Sequence, residues 1–198
     1  GRAAAEARAL AASPGIGTVY EACGAGVNVC QMRTHLTWMK AHAPELLARA
    51  ATALHPKDWL YFRLTGALAA DPTEGVFTFG DFRTRDYSDA VIDALGLADL
   101  KRLLPPIVDG ARTQGALTAE AAAATGLPSG LPVSLGYVDI ICAAYGGGLH
   151  DRAAAPGFTI LGSTGVHMRF APEAGAVRLN PERTGYVMAF PGTAYAQI

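Results

Sequence analysis

The sequence predicts a mixed α/β fold from three observations. Apolar positions recur at helical spacing up to Thr125, a β-branched and apolar run of strand length covers Pro132–Val138 and meets a helix at Asp139, and two further strand-like runs follow, Phe158–Leu161 and Val166–Phe170. A length of 198 residues suits one ordinary domain or two small ones. Hydrophobic residues make up 51% and charged residues 17%, which provides a sizeable core and excludes a disordered chain, a fibre or a disulfide-stapled miniprotein.

The elements follow in chain order. Residues 2–12 are helix-prone and stop at the breaker cluster Ser13-Pro14-Gly15. Met32, Leu36, Met39, Leu46, Leu47 and Leu54 recur at roughly helical spacing, with Pro44 starting a second helix at its first turn. His55-Pro56-Lys57-Asp58 opens another helix, which Gly66 ends as a C-terminal cap. Asp71–Asp86 is polar and broken by glycine, which predicts a loop. Ser88 caps a helix through Leu95, and Ala98–Leu104 is a short one stopped by Pro105-Pro106. Thr118 caps a helix over Ala119–Thr125, and Ile140–Tyr145 is helical into Gly146-Gly147-Gly148. The last two strands are joined by Gly162-Ser163-Thr164-Gly165 as a hairpin, and the composition shift over Leu149–Pro156 is the expected domain boundary.

A formal charge of -1 with scattered Lys and Arg offers no footprint for a phosphate backbone, so nucleic acid is not an expected partner. Three cysteines, Cys23, Cys30 and Cys142, form neither an even set nor a C-x-x-C pair, so no disulfide framework or structural zinc site is implied, and a reducing cytoplasm is the expected compartment. No apolar run approaches the ~20 residues that cross a bilayer, and the alanine-rich start reads as a helix rather than a signal peptide, so no membrane partner is expected. The first residue is Gly1 and the last four, Tyr195-Ala196-Gln197-Ile198, lie in an apolar stretch, which raises the expectation that the chain is an excerpt of a longer protein.

Asp139 is the most informative residue, because a carboxylate within Leu135-Gly136-Tyr137-Val138-Asp139-Ile140-Ile141-Cys142 is expected to be a buried charge. At the start of a helix it is held ionised by backbone N–H groups and the helix dipole, as a general base toward a hydroxyl, a metal ligand, or simply a helix N-cap facing solvent. Gly162-Ser163-Thr164-Gly165 offers freed amides and two hydroxyls, a phosphate cradle without the lysine of a P-loop, or only a turn. His35 and His42 share a helix face but lack a third ligand, and Cys30 and His35 are expected on different faces of one helix. Trp59, Tyr61 and Phe62 read as core and its edge, and Arg83 and Arg85 as partners of nearby carboxylates.

A series of landmarks resembles the FGGY carbohydrate kinases. They are Trp38-Met39-Lys40 with Pro44-Glu45, Lys57-Asp58-Trp59-Leu60 with Arg63-Leu64-Thr65-Gly66, and Asp71-Pro72-Thr73. The order continues with Leu104–Val108, Gly115–Thr118, Thr125–Pro128 with Gly130, Pro132-Val133, Gly136–Asp139 and Leu161–Gly165, so the resemblance runs over essentially the whole chain. It implies two actin-like, RNase H-like domains with sugar and ATP in the cleft between them. Residues 1–150 are then the later part of the sugar-binding domain, and residues 151–198 open the nucleotide-binding domain.

On this resemblance Asp139 is the base that takes the proton of the attacking sugar hydroxyl. Gly162, Ser163, Thr164 and Gly165 match the family's Gly-Thr-Ser phosphate turn with the two hydroxyl residues exchanged, and magnesium accompanies the ATP. Asn28 and Gln31, expected on a helix with Cys30 over the sugar, are candidate hydroxyl contacts. Arg2 stands where the W-x-D-x-R segment ends. The family's Asp-x-Gly-Thr/Ser loop and most of its adenine site have no counterpart in these residues, which implies that this segment by itself is no competent kinase. The runs Gly26–His35 and Phe77–Arg85 are most similar to erythritol kinases, which implies a four- or five-carbon polyol or ketose, and a homodimer is compatible with the resemblance. Two other classes are weighed against the kinase: a non-catalytic actin-like or helical binding module, and a cysteine hydrolase using Cys30 or Cys142, ranked last because neither thiol has a base at a suitable place.

Overall fold

The computed structural model describes residues 1–151, 157–162 and 164–198. Its first part is helical: α1 (Ala4–Ala11), α2 (Ile16–Cys23), α3 (Met32–His42), α4 (Pro44–Arg49), α5 (Pro56–Thr65), α6 (Pro72–Phe79) and α7 (Asp89–Ala94), then a 3₁₀ turn over Ala98–Leu103, α8 (Ala119–Thr125) and α9 (Asp139–Gly146). Two-residue strands β1 (Gly80–Asp81) and β2 (Asp86–Tyr87) pair antiparallel, as do β3 (Gln114–Ala116) and β4 (Pro132–Ser134). The second part is an antiparallel sheet of β5 (Gly157–Leu161), β6 (Gly165–Ala171), β7 (Val187–Ala189) and β8 (Tyr195–Gln197) in the order β5-β6-β8-β7.

The expected helix ends coincide with local chemistry. Pro44 and Pro56 sit in the first turn of their helices, and Gly66 closes α5 in the left-handed region. Ser88 and Thr118 accept from Val91 and Ala121 N–H as side-chain caps. The β5–β6 hairpin pairs Phe158 with Met168 and Leu161 with Gly165.

Three expectations are corrected. Asp71–Asp86 is not a loop: Asp71 accepts from Thr73 N–H as the N-cap of α6, Pro72 occupies its first turn, and the β1–β2 hairpin follows. The helix carries no amphipathic stripe because Pro72, Thr73, Gly75, Val76, Thr78 and Phe79 are all buried, and Gly75 lets Ile107 approach where a Cβ would lie 2.7 Å from it. Of Pro132–Val138 only Pro132–Ser134 pairs as a strand, since the chain turns away at Gly136 toward α9. Asn28 and Cys30 lie on no helix, because α3 starts at Met32 with Gln31 as its N-cap. Helix α2 lies in a stretch for which the sequence predicts no element.

One apolar cluster joins Val19, Cys23, Leu36, Leu47, Phe79, Val91 and Leu103 among the helices. A second packs Ile141, Ala144 and Leu149 against Met168 and Ala196 of the sheet and Phe190 just beyond β7, and a third joins Val76 and Phe82 to Val187 and Tyr195. Helix α9 is thereby fastened to the sheet whose strands β5 and β6 lead to Gly162 and Gly165. Of the three aromatics read as core and edge, Tyr61 is buried and Phe62 half-buried, but Trp59 is 54% exposed on the outer side of α5.

Candidate active site

The segment before Asp139 is held residue by residue. Gly136, at φ +71, donates its N–H to Gly110 O at 3.0 Å, and the two backbones approach so closely that a Cβ on Gly110 would lie 2.1 Å from Gly136 O. Tyr137 donates its hydroxyl to Asp109 Oδ1 at 2.8 Å, and burial followed by that carboxylate pushes its pKa upward. Val138, the N-cap of α9, donates its N–H to Thr73 Oγ1 at 3.0 Å.

Asp139 then opens α9 with its Oδ1 accepting from Ile140 N–H at 2.7 Å. Its side chain is exposed, which corrects the expectation of a buried charge. The buried stripe of α9 is Ile141 and Ala144, three residues apart on one face, and Asp139 lies off that face. An exposed carboxylate at a helix N-terminus is stabilised by the helix dipole without the cost of desolvation.

Behind it lies a polar network that the sequence reading did not single out. Lys57 Nζ is 2.6 Å from Asp58 Oδ1 and 2.8 Å from Asp71 Oδ2, and both aspartates are fully buried. Asp71 Oδ2 has no hydrogen bond of favourable geometry, so its pairing with the ammonium is ionic. Burial works to lower the Lys57 pKa, but Asp71 and Asp58 outweigh it and hold the group above its ordinary value. Asp71 Oδ1 accepts from the backbone N–H and from the hydroxyl of the fully buried Thr73. His55 lies 3.5 Å from both Asp58 and Glu74, and burial pushes the Glu74 carboxyl upward. The Asp71-Pro72-Thr73 start of α6 is a readable N-cap signal, but what Lys57 meets depends on two helices packing together.

The loop ahead of α3 contains Asn28 and Gln31. Gln31 is 5% exposed: its Oε1 accepts from Asn28 N–H and Arg33 Nε, and its Nε2 donates to Gly26 O. Asn28 is half-buried, with Oδ1 accepting from Cys30 N–H and Nδ2 donating to Tyr186 Oη at 3.2 Å. Arg33 is fully buried, donates to Ala25 O and Gly26 O, and pairs with no carboxylate among the described residues. Its pKa is lowered by burial.

The remaining candidates lie apart from these. Arg2 is exposed with its guanidinium 5.2 Å from the Trp38 ring centre, beside His35 and Met39. Gly162, Thr164 and Gly165 are exposed, and Gly162 donates its N–H to Thr164 O at 3.1 Å; Ser163 lies outside the described residues. His35 bonds Val29 O and His42 meets Glu6 Oε1 on α1, so each has a partner of its own, while Cys30 and His35 both line an apolar pocket with Met32 and Leu36. Arg83 pairs with Asp81 as expected, but Arg85, at φ +60, turns to the other half of the chain. It donates to the carbonyls of Phe190, Gly192 and Ala194 and to Tyr195 Oη, and the loop geometry rather than a carboxylate sets its partners.

Residues 1–146 match the FGGY family of carbohydrate kinases, N-terminal domain. The chain is 54% identical over 190 residues to a protein named erythritol kinase from Brucella abortus, which covers 96% of this chain but only 36% of that protein. The fold superposes on the crystal structure of xylulose kinase from Rhodospirillum rubrum with a TM-score of 0.84 at 26% identity, over 100% of this chain and 39% of that one. It superposes on Plasmodium falciparum glycerol kinase with ADP with a TM-score of 0.82 at 15% identity, over 100% and 40% of the two chains, a likeness of fold alone. The chain therefore spans between a third and two fifths of the length of these three proteins, and its helices and sheet are part of an actin-like fold. On the match of its first 146 residues, the chain belongs to the FGGY family of carbohydrate kinases.

Proposed function

We propose that this chain supplies the sugar-binding part of an ATP-dependent kinase that phosphorylates a hydroxyl of a small polyol or ketose, erythritol or a pentulose such as xylulose, with Asp139 as the general base. The observation that carries the reading is the placement of Asp139: an exposed carboxylate at the first residue of α9, with one oxygen fixed by Ile140 N–H and the preceding residue pinned to α6. The names of the relatives support the substrate class. The family match over residues 1–146 supports a domain division near residue 150, with 151–198 opening the nucleotide-binding part.

In this mechanism the free Asp139 oxygen accepts the proton of the attacking hydroxyl as the new oxygen–phosphorus bond forms and ADP departs. Phosphoryl transfer asks mainly for positioning and charge stabilisation, so one aligned base and donors near the transferred phosphoryl suffice. The Gly162–Gly165 turn is the proposed contact to that phosphoryl. Asn28 and Arg2 are the proposed direct contacts to the acceptor, while Gln31, whose amide is engaged within its loop, is proposed to shape the surface that Asn28 presents. Magnesium is proposed to accompany the nucleotide phosphates, whose charge phosphoryl transfer needs neutralised.

The test is ADP formation by a full-length kinase carrying this chain, with erythritol, xylulose, ribulose and glycerol as acceptors. Asp139→Asn is expected to lower kcat by at least about 10²-fold with a much smaller change in acceptor KM. Equal losses in binding and turnover make Asp139 structural, and no turnover with any acceptor in a folded protein that binds ATP favours the non-catalytic binding module.

A further inference from the structure

We propose that Thr73 is a positioning residue for Asp139, acting through the backbone N–H of Val138; this rests on the reading of Asp139 as the base. Thr73 and Val138 are 65 residues apart, and their 3.0 Å hydrogen bond joins α6 to the N-cap of α9, one residue before the carboxylate. The hydroxyl has a single proton, and its partners fix where that proton goes. Asp71, paired with the Lys57 ammonium, offers only acceptors, so Thr73 donates to Asp71 Oδ1 and presents a lone pair to Val138 N–H. Thr73 and Asp71 are fully buried, so solvent has no room to replace the hydroxyl.

The network thus has a direction, from Lys57 through Asp71 and Thr73 to the amide that precedes the base. Each link supports the next: Lys57 holds the Asp71 carboxylate, which orients the Thr73 hydroxyl, which holds Val138. Asp139 itself makes no contact with Thr73 that this role requires. What the hydroxyl sets is the backbone from which the carboxylate projects, and small displacements of an aligned group are expensive in rate.

The experiment compares Thr73→Val, Thr73→Ser, Asp139→Asn and the double variant Thr73→Val with Asp139→Asn in the full-length kinase, with ATP and with erythritol or xylulose as acceptor. Thr73→Val is expected to lower kcat about 10- to 100-fold with acceptor and ATP KM within about twofold, the signature of a misaligned group rather than lost binding. Thr73→Ser is expected to restore most of kcat, and Thr73→Val is expected to cause no further loss once Asp139 is Asn, because both changes act on one group. An unchanged kcat in Thr73→Val beside an inactive Asp139→Asn overturns the positioning role and leaves the base standing. A further loss in the double variant also overturns it, since Thr73 then acts elsewhere. A Thr73→Val protein that melts below the assay temperature, together with a folded Thr73→Ser that is equally inactive, reduces the hydroxyl to fold support and overturns the proposal. Full activity in Asp139→Asn removes the base and this inference with it.

Discussion

Replacing Lys57 by Met removes the cation shared by two fully buried aspartates while keeping most of the side-chain volume. Deleting one partner of a buried ion pair costs about 3–5 kcal/mol, because the charge left behind stays desolvated. The Lys57 side chain retains 24% of its exposure, which places the cost near the lower end, at about 3 kcal/mol. For a chain of this length each kcal/mol lowers the melting temperature by about 2–4 °C, so Lys57→Met is expected to melt about 6–12 °C below the unaltered protein.

The pH dependence gives this prediction a second reading. The folded pKa of Lys57 lies above its unfolded value, so its contribution is fully present below the ordinary lysine value of about 10.4 and is lost as pH rises through the folded pKa. The gap in stability between the two proteins, followed by urea unfolding, is therefore expected to stay constant from neutral pH to about 10 and to narrow above that. A Lys57→Met protein within about 1 kcal/mol of the unaltered one at neutral pH, or a gap that does not narrow in alkali, refutes the assignment of Lys57 as the neutralising cation.

Two further outcomes follow from geometry away from this network. Cys23 is fully buried and burial pushes its thiol up to about 11, whereas Cys30 and Cys142 are exposed, so a chromogenic disulfide reagent is expected to titrate two thiols rapidly at about pH 8 and the third only after unfolding. Three rapid thiols overturn the packing of α2 against Gly80. Arg85→Ala removes donors to the Phe190, Gly192 and Ala194 carbonyls and is expected to cost about 2 kcal/mol, read as lower stability and faster amide exchange over residues 190–195. Arg85→Lys is not expected to recover it, since one ammonium cannot match the planar fork, and full recovery argues against that role.

Much of the helical frame was legible because helix ends are local chemistry. Pro56 and Gly66 bound α5, and Ser88 and Thr118 cap α7 and α8, each through atoms within a few residues. The start of α6 at Asp71-Pro72 can be read, but its body was not legible for the same reason inverted: it is buried on nearly every side, so the apolar stripe that marks a surface helix is absent. Asp139 was found as a candidate because a lone carboxylate interrupts an apolar run, yet its neighbours in sequence implied burial that its place on α9 does not impose.

The sequence by itself determined the α/β class, the succession of helices, the hairpin near the end, the membership in a kinase family and the residues worth testing, because propensity, capping and motif order are properties of short stretches. Only the tertiary structure decided which polar groups meet. Lys57 against Asp71, Thr73 beneath Val138 and Arg85 clasping the carbonyls near residue 190 are contacts among separate segments that fold together. Pairing and burial of charge depend on packing in three dimensions, and no local pattern of residues encodes the partner.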